Sequence, residues 1–573
     1  MATHWGARPI GNAQWRFGLW APDAEEARVE IDGLAMPALA AGQGWWLFEG
    51  EAEAGASYRW VIEGTPYPDP AARAQEGDVH GPSKLVDPAA FAWRNDWQGR
   101  PWHEAVIYEL HIGTFTAEGT FAAAMAELPR LAALGITMIE IMPVAQFEGE
   151  RGWGYDGVLP YAPHPAYGTP DDLRTLVDAA RGHGIGVLMD VVYNHFGPAG
   201  NYLAAWCPSF FHPERASPWG AGIAFEAPAV REFFIANALH WIDEYRLDGL
   251  RLDAVHAIED RSPTHFLDEL GQRIRAHDRG RPIHLVTEDE RNHARYFTTD
   301  APYDGTWNDD WHHAVHCLLT GEDESYYAPF AVDPVADIAT ALSDGYIEQG
   351  QPRKNGDAHP RGEPSAALPR TAFVNFLGNH DQVGNRAQGE RLHQLLTDTH
   401  AYRVMTALTL LAPFTPMLFM GDEFLTDAPF QFFVDFEGDL AEAVRKGRAQ
   451  EFARFSSFGG AVPDPVSPET FLASKIGAPT REEQRAHAGF VADMLKLRCK
   501  CIIPLLARNP QPLVAVRRVG EDIEAQWSFG PGTLQLRVRL GETESPFEPH
   551  PEPVLLLSDA HSPFALSVAV TPE

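Results

Sequence analysis

The chain has 573 residues, more than one compact core accommodates, so about three domains are expected. Its formal net charge of -34 repels nucleic acid and anionic lipid, both of which need clustered Lys and Arg, and suits a neutral substrate. The cysteines Cys207, Cys317, Cys499 and Cys501 lack the paired spacing of a zinc site, the opening MATHWGARPIGNAQW lacks the basic start and apolar run of a secretory signal, and no apolar stretch nears the roughly 20 residues of a membrane span.

Residues 1–92 open with short aromatic and β-branched runs cut by Gly, Pro and Asp: WRFGLWAP, ARVEIDG, GWWLFEG and SYRWVIEG. They predict a small N-terminal β-sandwich, followed by the Pro- and Gly-rich covering loop PDPAARAQEGDVHGPSKLVDP. From about Trp102 apolar strand-like runs alternate with amphipathic helical stretches. The runs are VIYELHIG, ITMIEIMPV, IGVLMDVVYNH, DGLRLDAV, IHLVTEDE, the weaker GTWNDDW, AFVNFLGNHD and TPMLFMGDE. Near-continuous apolar strands each followed by a helix signal a parallel sheet covered on its faces. Thr169, Pro170 and Asp172 supply an N-cap, a first-turn proline and a capping-box acid. Eight such units over 93–508 predict a (β/α)8 barrel of the α/β class. The rival, an open doubly wound sheet, lacks a Gly-rich phosphate loop after its first strand. Insertions are expected near 197–227 and 323–369, the second loop-like through QPRKNGDAHPRGEPS. Residues 509–573 return to strands, LVAVRRV, IEAQWSF, LQLRVRL and PVLLLS, and predict a C-terminal β-sandwich.

In such barrels function gathers where the strands end. Those ends carry Asp190 with Asn194 and His195, Arg251 with Asp253, Glu288, and His380 with Asp381. One Asp at a strand end reads as a helix cap; four strand ends bearing carboxylates beside basic or amide partners do not. Arg251 and Asp253, two apart on a strand, share a face, so the cation holds the carboxylate ionised and able to attack an anomeric carbon; a buried structural pair is the other reading. Glu288 ends the apolar run IHLVTE, and an acid against an apolar wall keeps its proton. Asp289 and Glu290 leave that assignment open on chemistry alone, although alternation lets only one of Glu288 and Asp289 face the site. Two carboxylates of opposite protonation state are the minimum for cleaving a glycosidic bond. Asp381 adds a third that can grip sugar hydroxyls, with His195 and His380 as donors.

DVVYNH (190–195), GLRLDAVHAI (249–258), TEDE (287–290) and FLGNHD (376–381) resemble, in order, the four signature regions of the α-amylase family. The resemblance covers the whole barrel and implies Asp253 as nucleophile, Glu288 as general acid/base and Asp381 as transition-state stabiliser. It also implies sugar contacts from Arg251, His195 and His380, and from Tyr155 and Asp156 of GWGYD. The N-terminal sandwich would be the immunoglobulin-like, glucan-binding type found in branching enzymes, debranching enzymes and trehalohydrolases. LGNHDQVGNRAQGER (377–391), VIYELHIGTFTAEGTF and PFQFFVDFEGDLAEAVRKGRAQEFARF are most similar to the malto-oligosyltrehalose trehalohydrolases. One departure is Phe436, where that family's pattern has histidine. The resemblance implies hydrolysis of the α-1,4 bond next to a terminal trehalose unit, with His256, Gln382, Arg386 and Glu390 as contacts on the trehalose side; a bracing ion pair is the other reading of Arg386 and Glu390. It further implies a partner synthase that makes the 1,1-linked end; the chemistry requires no metal or organic cofactor and no cluster of oxygen ligands is seen, the charge argues against a nucleic acid or membrane partner, and the cysteines read as reduced thiols of a cytoplasmic protein. A glycogen branching enzyme is the alternative within the family, and a catalytically dead glycan-binding barrel the alternative outside it.

Overall fold

The computed structural model describes residues 4–217, 220–298, 301–354, 359–452, 462–530, 532–559 and 562–571. Parts of both expected insertions, 218–219 and 355–358, and the end of the ARF segment at 453–455, lie outside these residues.

Eight parallel strands close a barrel in chain order: Ile107–Leu110, Met138–Ile141, Gly186–Val191, Gly249–Leu252, His284–Thr287, Gly305–Trp307, Phe373–Asn375 and Thr415–Phe419. Each of the eight apolar runs supplies one strand. Every strand residue is buried, which is why the runs read as continuous and not alternating. Local signals set the helix that follows the second strand. Helix Pro170–Gly182 starts on the reciprocal Thr169–Asp172 capping box. The helix before it, Phe121–Leu134, starts at the Thr120 cap and stops at Gly135, whose φ of 108° favours glycine.

The insertion after the third strand is an antiparallel pair, Phe211–Ser217 with Gly220–Ile223. The segment after the sixth strand is less loop-like than expected. It holds the helix Pro334–Asp344, capped by Asp333 with proline in its first turn, lying on helix Asp309–Thr320.

The N-terminal β-domain is two sheets facing each other, one built on Gln14–Trp20 and Trp45–Glu51, the other on Ala27–Ile31 and Ser57–Ile62. Phe17, Leu19, Val29, Trp60 and Ile62 fill the space between them. The C-terminal β-domain is one five-stranded antiparallel sheet among the described residues, so the expected second sandwich layer is not a sheet. Ile523, Ala525, Trp527, Leu534 and Leu536 form its buried face, against which helices Pro334–Asp344 and Thr399–Leu411 pack. Its fifth strand, Phe564–Thr571, was not among those read from the sequence. Phe436 is buried with Val434 and Ala441 in a small apolar cluster beside the barrel. No helix among the described residues is long and apolar enough to cross a membrane.

Trp5 seats the N-terminal domain on the barrel. Its ring meets Trp45, Phe210 and Phe233 edge-on at 5.5, 6.1 and 5.0 Å, and Nε1 donates to the Ala229 carbonyl at 2.9 Å. Arg73 adds a buried fork to Glu244 on helix Pro228–Glu244. Replacing Trp5 with Ala empties a fully buried aromatic site, so W5A is expected to lose about 3–5 kcal/mol of unfolding free energy in urea titrations. A loss under about 1 kcal/mol would show that the two domains are not mechanically joined there.

Candidate active site

Arg251, on the fourth barrel strand, is fully buried at the centre of the barrel's carboxyl-terminal end. A charge there persists only if it is matched. Nη1 donates to Asp190 at 2.7 Å and to Asp253 at 2.9 Å, and Nη2 donates to Glu288 at 2.8 Å. The guanidinium lies over the Trp307 ring at 3.8 Å. Burial opposes its charge, and the facing Asp190 and Glu288 more than offset that opposition, holding it well above the usual arginine range. One cation thus ties together the ends of the third, fourth and fifth strands and stacks on the sixth.

Asp253 and Glu288 accept from the two terminal nitrogens of one guanidinium, so a single cation draws the two carboxyls together. Both side chains keep an open edge, 12% and 17% exposed. Asn194 Nδ2 donates to the second oxygen of Asp253 at 2.9 Å. The apolar wall expected around Glu288 is not what its carboxyl meets: besides Arg251, it accepts from the Ala254 amide at 2.8 Å. Asp289 points to the other face, as alternation requires, and pairs with Arg291 and His293. Burial works against its charge, but hydrogen bonds from His293 and Arg291 win and pull it down to about 2.

Asp381 lines the same cleft as Glu288, its carboxyl raised by burial against the pull of His380 and further by the charge of Glu288. His380 Nε2 lies 3.5 Å from Asp381, and its ring stacks on Tyr155 at 5.0 Å and 20°. Tyr155 donates to Asp190 at 2.6 Å. Burial pushes Asp190 up to about 7 despite Arg251. Asp156 follows in the same turn, pushed up to about 6 by burial. His195 bonds to Asn194 through Nδ1 and approaches the Tyr155 carbonyl through Nε2 at 3.0 Å. Burial lowers its pKa.

A cleft of about 890 Å³ runs outward from Glu288 and Asp381. His256 and Gln382 line it, His256 Nε2 lying 3.6 Å from Glu290 and Gln382 donating to Asp309 at 3.2 Å. Arg386 and Glu390 are not on its wall. Arg386 grips Glu322 through both terminal nitrogens at 3.0 and 2.9 Å, with Glu390 at 3.7 Å, which is the bracing arrangement. The sequence reading missed Asp309, which begins the helix after the sixth strand and whose carboxyl feels the charges of Glu288 and Asp381. It also missed the far wall, where Tyr326, Phe330 and Arg361 come from the insertion after that strand. Asp309 was reachable by the strand-end rule applied to GTWNDDW; the insertion's wall carried no local signal. Among the described residues no cluster of three His, Cys, Asp or Glu side chains is arranged to hold a metal ion.

The α-amylase catalytic-domain family model matches residues 85–208. A malto-oligosyltrehalose trehalohydrolase from Deinococcus radiodurans is 45% identical over 94% of this chain and 90% of its own length. A crystal structure from Salmonella typhimurium, described as an alpha amylase, superposes with a TM-score of 0.95 at 46% identity, covering all of both chains. A 1,4-alpha-glucan branching enzyme from Thiobacillus denitrificans is 36% identical over only 42% of this chain and 37% of its own.

Burial, then the charges of Glu288 and Asp381, push Asp309 up to about 7. A carboxyl raised by folding weakens the fold once pH exceeds its unfolded value, and the penalty is complete above its folded value. D309N is therefore expected to be more stable than the wild type by about 1–2 kcal/mol at pH 8, the gap closing between pH 7 and 4. Urea titrations across that range check this, and a gap that ignores pH contradicts it.

Proposed function

The chain belongs to the malto-oligosyltrehalose trehalohydrolase family, and we propose that its barrel cleft binds a malto-oligosaccharide ending in an α,α-1,1-linked trehalose unit and hydrolyses the α-1,4 bond beside that unit. The observation that carries the reading is the single guanidinium of Arg251 holding Asp253 beside Glu288, which lines the open cleft together with Asp381.

In this scheme Asp253 attacks the anomeric carbon while Glu288 gives its proton to the departing glycosidic oxygen. The leaving fragment is trehalose. The glucan remains esterified to Asp253 until Glu288, now a base, draws a proton from water that attacks the same carbon. Two inversions give net retention. Nη2 of Arg251 and the Ala254 amide both donate to the same Glu288 oxygen, so the carboxyl's other oxygen is the one positioned to carry the proton. Asp381 can accept from hydroxyls of the distorted ring, and Tyr155 offers its face as a platform stacked against His380. We assign the wall formed by Tyr326, Phe330, His256 and Gln382 to the trehalose unit, because these side chains line the same cleft as Glu288 and Asp381. That unit is bent and has no reducing end, so a site closed around it discriminates against plain maltodextrin by shape and by unpaired polar groups.

A partner synthase that forms the 1,1-linked terminus would supply the substrate, and a cytoplasmic location suits the free thiols of Cys207, Cys317, Cys499 and Cys501.

Incubation with malto-oligosyltrehalose is expected to release trehalose and a maltodextrin whose new reducing end is first the α-anomer. Conversion of amylose to branched glucan without trehalose release would move the chain to the branching enzymes. Asp253→Asn removes the nucleophile and is expected to lower kcat by several orders of magnitude while KM changes little. Glu288→Gln is expected to be partly rescued by substrates with activated leaving groups, and absence of rescue would remove Glu288 from the acid role.

A further inference from the structure

Glu109 lies on the first barrel strand, level with Glu140 on the second. Both side chains are about 1% exposed, inside the barrel and below the cleft. Their surroundings differ. Both carboxyl oxygens of Glu140 lack a hydrogen-bond partner, and burial raises it well above the usual carboxylate range. Glu109 is fully engaged by one residue: its Oε1 is 2.5 Å from His380 Nδ1, and its Oε2 accepts the His380 backbone amide at 3.2 Å. His380 is equally buried, and its other nitrogen faces Asp381 at 3.5 Å. Trp153 and Trp307 enclose the ring at 5.5 and 5.8 Å, and Tyr155 stacks on it. The ring therefore has one orientation, with a carboxyl at each nitrogen.

We propose that Glu109 is a positioning residue for glycoside cleavage, gripping His380 by its ring and backbone so that a doubly protonated imidazole presents Nε2–H beside Asp381 at the cleavage point. Glu109 touches no substrate; it acts through His380. The logic is that of a buried carboxylate that orients a catalytic histidine and stabilises its cation. A charged ring donates a stronger hydrogen bond to a hydroxyl or to Asp381 than a neutral one, and it cannot flip its tautomer during the reaction.

The charges around the ring support this. Glu109 and His111 face it from the first strand, Glu140 from the second, Arg251 from the fourth, Asp381 from its own turn and the Tyr155 phenol from the loop after the second strand. Burial and the Arg251 cation oppose protonation, but Asp381 and Glu109 outweigh them and bring His380 up to about 9. Burial takes His111 down to about 3, so it adds no competing cation.

The proposal rests on the hydrolase reading above, and its test separates the two. If the wild-type chain releases no trehalose, the hydrolase reading fails; the ring's protonation is read independently of activity. In ¹⁵N-histidine spectra of the full-length protein, with the His380 signals identified by their loss in H380Q, both ring nitrogens are expected to be protonated at pH 8. A neutral ring at that pH overturns the proposal whether or not the Glu109 variants fold. In folded E109Q the ring is expected to be neutral at pH 8. Its kcat is expected to fall about tenfold or more there with KM within about twofold, and to recover at lower pH, where solvent reprotonates the ring. E109D, which keeps the charge, is expected to regain part of the loss. Wild-type kcat in E109Q, or a loss equal at both pH values and unrelieved in E109D, would reduce Glu109 to a packing residue.

Discussion

A guanidinium with no exposed surface cannot be left unmatched inside a barrel, and this constraint organises the rest of the molecule. Arg251 reaches three carboxylates from three successive strands and stacks on an aromatic ring from the next. Removing one member of such a buried set costs about 3–5 kcal/mol because the remaining charges are stranded. The strands therefore cannot slide relative to each other without breaking it. Fixed register is what the chemistry needs, since an attacking oxygen and a proton donor must stay in place on the scale of a single ångström. Below this layer lie two more acids, Glu140, which burial raises well above the usual carboxylate range, and Glu109, which is spent on His380.

The surrounding architecture serves the same end. The N-terminal domain packs on the barrel's side and, through Gly77, Val79 and His80, also meets the loops after the second and third strands. The N-terminal sheets sit on helix Pro228–Glu244 through Trp5 and Arg73, and the C-terminal sheet uses barrel helices as its second layer. The insertion after the sixth strand instead comes up beside the mouth. Arg361 is tied to Asp310 and Glu348 and donates to the Glu290 carbonyl at 2.7 Å, which pins the insertion to the loop carrying Glu288. The insertion thereby forms part of the wall of the cleft that Glu288 and Asp381 line.

Much of this was legible in the sequence because parallel barrel strands are buried on both faces. Eight unbroken apolar runs announced them, and the polar residues ending four of those runs announced the site's centre. Asp190, Arg251, Asp253, Glu288, His380 and Asp381 are brought together as that logic requires. The logic failed where the determinant was not local. Glu288 follows an apolar run, yet its carboxyl meets Arg251 and a backbone amide supplied by the neighbouring strand. Arg386 and Glu390 lie four apart beside the signature His380–Asp381, but Glu322 from a distant helix end claims Arg386. Helix Pro334–Asp344 had an N-cap and a first-turn proline in plain view, hidden by the Gly- and Pro-rich segment after it. Glu109 sits inside a strand, not at its end, so only the closed barrel reveals its partner.

The central claim is that Asp253, held by Arg251, forms the covalent bond to sugar. The most direct measurement is trapping with a fluorinated α-glucosyl inhibitor, followed by mass spectrometry of the digested protein. The account predicts a single added glycosyl group on the peptide containing Asp253. A stable adduct on any other carboxylate, or steady hydrolysis of the reagent by an enzyme that never becomes labelled, would contradict it.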